Sequence, residues 1–324
     1  MDDGKFLKIY SPELGQKYAP FSIYLPAGNG LYTGYRFYYM KKGINTELLF
    51  SGGPNDPSNC EFYRIREAYM GKLENGVFMP HFRVLQGGEV GFAFCEKGAG
   101  DFCGGFHGDE VMTEVALIAD GKRMELDRPY FGSFEDISFE EGSVITRCNT
   151  PTEKLVFHKQ KYTVKNNELC LMQYIEWLND AMPLVAAYTP MLTAQRLNPS
   201  DKSILTDTVE FYDVRGGKLL TSFDTTSYGD RLDGKFSESF CRDTKSTCVK
   251  VYGKKSGVSI EGGYNVIDDT IPDEQIDTHL CVRFGQAFDN KIYFNIAKGQ
   301  APKKGTVWQS DIFYRLTYSG KGKE

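Results

Sequence analysis

Residues 98–110, GAGDFCGGFHGDE, hold the densest group of side chains able to do chemistry in this chain. His107 is the one side chain there whose charge changes near neutral pH. Asp101, Asp109 and Glu110 flank it, among Gly98, Gly100, Gly104, Gly105 and Gly108. Glycines let a backbone turn tightly and approach a ligand closely. Loops that join them to polar groups carry function disproportionately. If the chain runs extended from His107, alternation puts His107 and Asp109 on one face and Glu110 on the other. His107 and Asp109 would then form an oriented acid–base pair, with Glu110 structural. A bend at Gly108 would mix those faces. The competing reading is a glycine-rich turn whose His and carboxylates cap the backbone.

The other histidines carry less. His158, in the strand-like run LVFH, reads as a hydrogen-bonded sheet residue. His81 follows a Met-Pro turn and reads as surface, whereas His279, ahead of LCVR, could enter a cleft. Aromatics give a second hint, since sugars present C–H faces that aromatic platforms hold, with charged hydrogen-bonders alongside. Candidate platforms are Tyr35, Tyr38, Trp177, Tyr188 and Trp308, and candidate partners are Arg36, Arg64, Arg66 and Arg196. Against each aromatic stands plain sheet packing, because Tyr, Phe and Trp favour strands. Tyr188 and Arg196 share a face if their strand is regular, but Pro190 lies between them and disturbs it.

The eight cysteines read as reduced. Cys95, Cys148, Cys170 and Cys281 lie in strand-like runs, where a free thiol behaves as a small apolar group. Such thiols fit the cytoplasm; the alternative is export after loss of a leader, with Cys241 and Cys248 as the bonded pair. No CxxC occurs, and Cys95, Cys103 and His107 lack an evident fourth ligand, so no metal is expected. There is no GxSxG, P-loop, HExxH or post-strand GxGxxG, so no cofactor is expected either.

The elements that must position these groups are strands. The chain has 324 residues, 41% hydrophobic and 25% charged, which is globular composition. Aromatics reach 14%, with 20 Tyr and 23 Phe against 2 Trp. Strand-like runs cover 31–40, 82–86, 89–95, 110–118, 143–148, 153–164, 168–178, 184–194, 206–212, 247–252, 258–262, 291–296 and 307–318. Turn signals separate them at Lys42-Gly43, Asp120-Gly121, Asn166-Asn167, Gly216-Gly217 and Asp289-Asn290. The best helical candidate, 62–72, is short. Strands at this spacing predict an all-β fold, a large antiparallel β-sandwich. One domain spanning 1–324 is expected, with a polar, Asp-rich loop excursion at about 197–246. The net charge of -5 offers no basic footprint for nucleic acid or an anionic membrane. No apolar run is long enough to span a bilayer as a helix.

Several segments resemble the galactose-mutarotase-like β-sandwich superfamily of aldose epimerases and polysaccharide lyases. Tyr32-Thr-Gly-Tyr-Arg36-Phe37 followed by Gly43-Ile44 is similar to its early strands. Gly104-Gly-Phe-His107-Gly108 resembles its Gly-rich His-Gly segment. Residues 162–194 resemble its paired strands around an Asn turn, and 305–318 resemble its closing strand. The resemblance implies a supersandwich with a sugar cleft on one concave face. The family's Tyr-x-His acid is replaced here by Tyr188-Thr189-Pro190, which cannot transfer a proton at its third position. Its general-base Glu has only Glu261 and Glu274 as nearby counterparts. The reading is therefore a carbohydrate-active protein, a lyase or related sugar-modifying enzyme. His107 would be the acid or base, with Asp109, Glu110, Tyr188 and Arg196 in the catalytic group. Arg36, Arg64, Trp177, Tyr38 and His279 would bind substrate. Non-catalytic sugar binding, epimerisation and glycoside hydrolysis are the alternatives.

Overall fold

The computed structural model describes residues 4–41, 60–86, 90–148, 150–225, 236–239, 246–267, 277–283 and 289–320. No α-helix occurs among them. Short turns fix the hairpins. At Asn75-Gly76, Asp120-Gly121 and Asn166-Asn167 both residues have positive φ, as a two-residue loop matched to strand twist requires. These turns close the facing pairs Glu74↔Val77, Ala119↔Lys122 and Lys165↔Glu168.

Strands numbered in chain order form two layers. The first runs β9 (Tyr130–Phe134), β1 (Lys5–Ile9), β2 (Phe21–Gly28), β3 (Leu31–Lys41), β4 (Glu61–Glu74) and β5 (Val77–Leu85). It continues through β13 (Leu184–Gln195), β20 (Asp289–Asn295), β19 (Asp277–Arg283) and β16 (Phe236–Ser239), with β6 (Ala93–Glu96) also on β13. The second runs β8 (Lys122–Arg123), β7 (Glu110–Ala119), β10 (Ile137–Arg147), β11 (Thr150–Lys165) and β12 (Glu168–Trp177). It ends with β21 (Val307–Tyr318), β18 (Val258–Ile267), β17 (Cys248–Tyr252), β14 (Thr208–Tyr212) and β15 (Leu219–Asp224). All these pairings are antiparallel, and one parallel bridge, Glu61↔Val111, joins the layers.

Alternation decides which residues lie between the layers. Tyr35, Phe37 and Tyr39 of β3 point inward, whereas Arg36 and Tyr38 do not. Across the gap Phe21 meets Phe139 at 4.9 Å and Phe37 meets Tyr162 at 5.1 Å. Each buried ring contributes roughly 1.5–3 kcal/mol of apolar burial. The architecture is the all-β sandwich expected from the sequence.

Three local expectations fail for stated reasons. Residues 62–72 belong to β4, not a helix. Arg36 faces Glu67 while Phe37 faces Ile65, so Arg66 is an extra residue. Such a bulge breaks the two-residue period and imitates a helical one. Asp289-Asn290 is the start of β20 rather than a turn; both side chains are buried. Trp177 and Trp308 are core residues 5.4 Å apart, and Trp177 is fully buried against Phe94, so neither is a sugar platform. Tyr35 is likewise buried. Lys42-Gly43, Cys241 and Glu274 lie outside the described residues, as do the side chains of His279 and Cys281. Among the described residues no helix is long and apolar enough to cross a membrane.

Candidate functional site

One face of the first sheet carries a continuous row of polar and aromatic side chains. Its geometry starts in β13. There Tyr188 faces Asn295 while Met191 faces Tyr293, so β13 has one residue more than β20 between these points. The extra residue falls at the cis Thr189-Pro190 peptide. It puts Tyr188 on the same face as Met191, Thr193 and Gln195. On β20 the same face carries Asp289, Lys291 and Tyr293.

Tyr188 lies between two rings, Tyr293 at 4.6 Å and Phe102 at 5.4 Å. Phe102 in turn meets the His107 ring at 5.2 Å. Lys291 Nζ sits 4.8 Å above the Tyr293 ring. His107 Nδ1 is 3.5 Å from Asp101 Oδ1. Burial holds the His107 imidazole below its ordinary pKa; Asp101 opposes this and the Lys291 charge reinforces it.

Past Lys291 the row becomes a chain of hydrogen bonds. Gln86 Nε2 donates to Asp289 Oδ2 at 3.0 Å. Arg83 donates to Gln86 at 2.7 Å, Gln195 at 3.2 Å and Glu67 at 3.1 Å. Tyr38 OH donates to Glu67 at 3.4 Å, and the Arg36 guanidinium stacks on the Tyr38 ring at 4.6 Å. Two surface grooves lie elsewhere, one around Lys250, Tyr252 and Arg315, the other around Glu114, Arg123 and Lys159. Neither includes a histidine among its lining residues.

The loop before β7 is built on glycines. A 3-10 turn, Gly105–His107, is flanked by Gly104 at φ 75 and Gly108 at φ 89. A Cβ on Gly104 would lie 2.8 Å from the Phe92 carbonyl oxygen. Gly104→Ala should therefore destabilise by about 1–3 kcal/mol in urea unfolding, from left-handed strain plus the clash. A change under about 0.3 kcal/mol, within ordinary surface scatter, would show that the loop yields.

A second polar group lies between the sheets, away from the row. Arg64, Glu110, Glu141 and His158 are all fully buried. Arg64 Nη2 and Ser143 Oγ both donate to the Glu110 carboxylate in short contacts. Arg64 Nη1 is 3.5 Å from Glu141. His158 Nδ1 is 3.3 Å from Glu110, and its Nε2 is 3.3 Å from Gln173 Nε2. The Gln173 amide is a donor, so His158 Nε2 accepts and its Nδ1–H donates to Glu110. Thr189 Oγ1 closes the chain on Gln173 Oε1. Glu110 is held down at about 2; burial opposes this, and Arg64 and His158 outweigh it. Burial drives Glu141 up to about 8, with Arg64 opposing and Glu110 adding to the rise. His158 is lowered by burial. The group thus carries one buried cation, Arg64, and one buried anion, Glu110.

The sequence-derived candidates therefore divide. His107, Tyr188, Arg36 and Tyr38 come together along the row. Glu110 and Arg64 meet each other in the interior. Asp109 is buried and turns toward Cys103 and Cys148, while Asp101 takes the place beside His107. The bend at Gly108 causes this exchange. Arg196 leaves the face of Tyr188 because of the extra residue in β13; it is buried, donating to the Thr225 carbonyl at 2.9 Å. Glu261 lies on β18 in the second sheet. Glu67, Arg83, Gln86, Gln195, Asp289 and Lys291 were missed. The alternation of β20, DNKIYFN, marked a polar face at Asp289, Lys291 and Tyr293 and could have revealed part of it.

No protein-family model matches the chain, and no curated protein matches it. Similar solved structures include the galactosidase domain of an alpha-galactosidase-sucrose kinase, AgaSK. Identity there is 10% over 96% of this chain and 42% of that one, with a TM-score of 0.43. Another is a GH36 alpha-galactosidase from Geobacillus stearothermophilus in complex with raffinose, at 11% identity over 98% and 41% of the two chains, TM-score 0.41. A third is a putative aldose 1-epimerase from Klebsiella pneumoniae subsp. pneumoniae, at 9% identity over 98% and 85%, TM-score 0.37. This chain spans about two fifths of the length of each of those two galactosidase structures.

Proposed function

We propose that the protein binds a carbohydrate at the aromatic end of the row and acts on a uronate-containing chain as a lyase. The observation that carries this is the convergence of His107, Tyr188 and Lys291 on one sheet face, beside stacked aromatic rings. β-Elimination needs a base for the proton α to the carboxyl, an acid for the leaving oxygen and a cation for the carboxylate. Asp101 engages His107 Nδ1, so proton transfer falls to Nε2. His107 takes the α proton, the carbon–carbon double bond forms, and the bond to the leaving oxygen breaks. The Tyr188 hydroxyl delivers a proton to that oxygen. Lys291 takes the cationic role that the sequence suggested for Arg196. Phe102 and Tyr293 offer the apolar surfaces that the C–H face of a pyranose prefers.

Non-catalytic sugar binding is the second reading. It is favoured by the pairing of the partly exposed Arg83 and Glu67, which suits positioning more than proton transfer.

The test is ultraviolet absorbance from unsaturated uronate products on a panel of uronate polysaccharides. The wild type should give product, and His107→Ala and Tyr188→Phe should each lose about 10²–10⁴-fold in turnover, the worth of a positioned acid or base. Product formation unchanged in both variants would remove the assignment. Retained sugar binding with no product in the wild type would leave the binding reading.

A further inference from the structure

Three buried metal-ligating side chains meet beneath the loop that carries His107. The ligand atoms of Cys103, Asp109 and Cys148 all lie within 4.8 Å of one another. We propose that they form a structural zinc site that anchors residues 98–108.

Cys103 and Asp109 lie in the β6–β7 connection and Cys148 follows β10, and the backbone fixes each in place. Cys103 is bridged to Phe94 by two hydrogen bonds, of 3.0 and 2.8 Å. Asp109 is held at φ 60, and its carbonyl accepts from Thr146 N at 2.8 Å. Cys148 follows β10, with Sγ 3.5 Å from the Ala99 carbonyl oxygen. Ligands on such fixed positions are pre-organised.

The spacing suits a small tetrahedral ion. Zinc binds thiolate at ~2.3 Å and carboxylate oxygen at ~2.0–2.2 Å. Tetrahedral geometry then sets the ligand atoms roughly 3.5–3.8 Å apart, inside the bound seen here. Two thiolates select a soft or borderline cation over magnesium or calcium. A dication would offset two of the three negative charges of the deprotonated ligands. A water in the fourth position would complete the coordination.

The site would tie the end of β10 and the start of β7 to the Cys103 bridge. Asp101, Phe102 and His107 hang from that segment, so the ion would hold the aromatic end of the row in place. The inference rests on this loop and not on the proposed sugar chemistry, and its test needs no substrate.

The experiment uses the full chain, reduced, stripped with chelator and titrated with Zn²⁺ or Co²⁺. One ion per chain should bind, Co²⁺ should give a thiolate-to-metal charge-transfer band, and Zn²⁺ should raise the melting temperature. Cys148→Ser should abolish the band. Asp109→Asn should weaken binding by at least about tenfold, the loss that even an outer-shell change brings. Cys170→Ser, at a thiol on β12 outside the cluster, should change neither. If the Cys148 variant does not fold, Zn²⁺ should still protect Cys103 and Cys148, and not Cys170, from alkylation of the wild type. No band, a band that persists in Cys148→Ser, alkylation unaffected by Zn²⁺, or a Cys103–Cys148 disulfide in the purified protein would each overturn the site.

Discussion

Glu110→Gln should cost about 3–5 kcal/mol of unfolding free energy, the loss expected when one partner of a buried ion pair is removed. Among the described residues Glu110 is the only anion that balances Arg64, because Glu141 is mainly protonated near neutrality. Both Arg64 and Glu110 are fully buried, so water cannot replace the missing charge. The amide would also disturb the bonds from Ser143 and from His158 Nδ1. Urea unfolding at neutral pH measures the loss. The companion variant is Arg64→Met with Glu110→Gln, which removes both charges. It should recover much of the loss, because apolar replacement of a buried pair is often neutral or better. Losses that simply add would show that the two charges do not compensate each other. A single-variant loss under about 1 kcal/mol, the range of exposed pairs, would show that water reaches Arg64.

Stability should fall as pH rises from about 4.5 to about 8, and Glu141→Gln should remove most of that fall. Glu141 has a folded pKa of about 8 against an ordinary carboxyl value of 4.5. A raised acid pKa means that the fold favours the protonated form. That contribution is complete below the unfolded value and is lost as pH climbs through the folded one. The loss is on the order of a few kcal/mol, at about 1.4 kcal/mol per pKa unit. Gln is neutral at every pH and keeps an acceptor for Tyr63 N, which Glu141 serves at 3.2 Å. The variant and the wild type should therefore agree near pH 4 and diverge above it, with the variant more stable at pH 8. Glu110 works in the opposite sense and lower, since its pKa is depressed to about 2 and its contribution is lost as pH falls through that value. Denaturation midpoints across pH 4–9 decide the matter. Parallel profiles for variant and wild type would mean that Glu141 is ionised in the fold.

The two sets of buried and half-buried polar groups also explain what sequence reading missed. His158 was expected to be a hydrogen-bonded sheet residue, and it is one, buried between Glu110 and Gln173. Arg64 was read as a sugar ligand because nothing in YRIRE separates an inward arginine from an outward one. Contacts from strands distant in sequence decide that question, because Glu110 of β7 and Glu141 of β10 both reach Arg64. Arg196 failed as a partner of Tyr188 through the extra residue at Pro190, a bulge defined by its partner strand. Glu67, Arg83, Gln86 and Asp289 look like ordinary surface polar residues in sequence. They become a chain only because β4, β5, β13 and β20 are neighbours in the sheet.

By itself the sequence determined the all-β class, many of the strands and the hairpin turns at Asp120-Gly121 and Asn166-Asn167. Those follow from local properties: β-favouring aromatics, period-two alternation and Asn or Asp turns with positive φ. It also marked the glycine-rich segment around His107, because composition alone makes such a loop unusual. Tertiary structure decided which carboxylate meets His107, which arginine is buried, and which lysine stands over Tyr293. The first depends on the glycine bends of one loop, the others on how strands far apart in the chain pair and pack. A shift of one residue reverses every side chain that follows, and no local pattern records it.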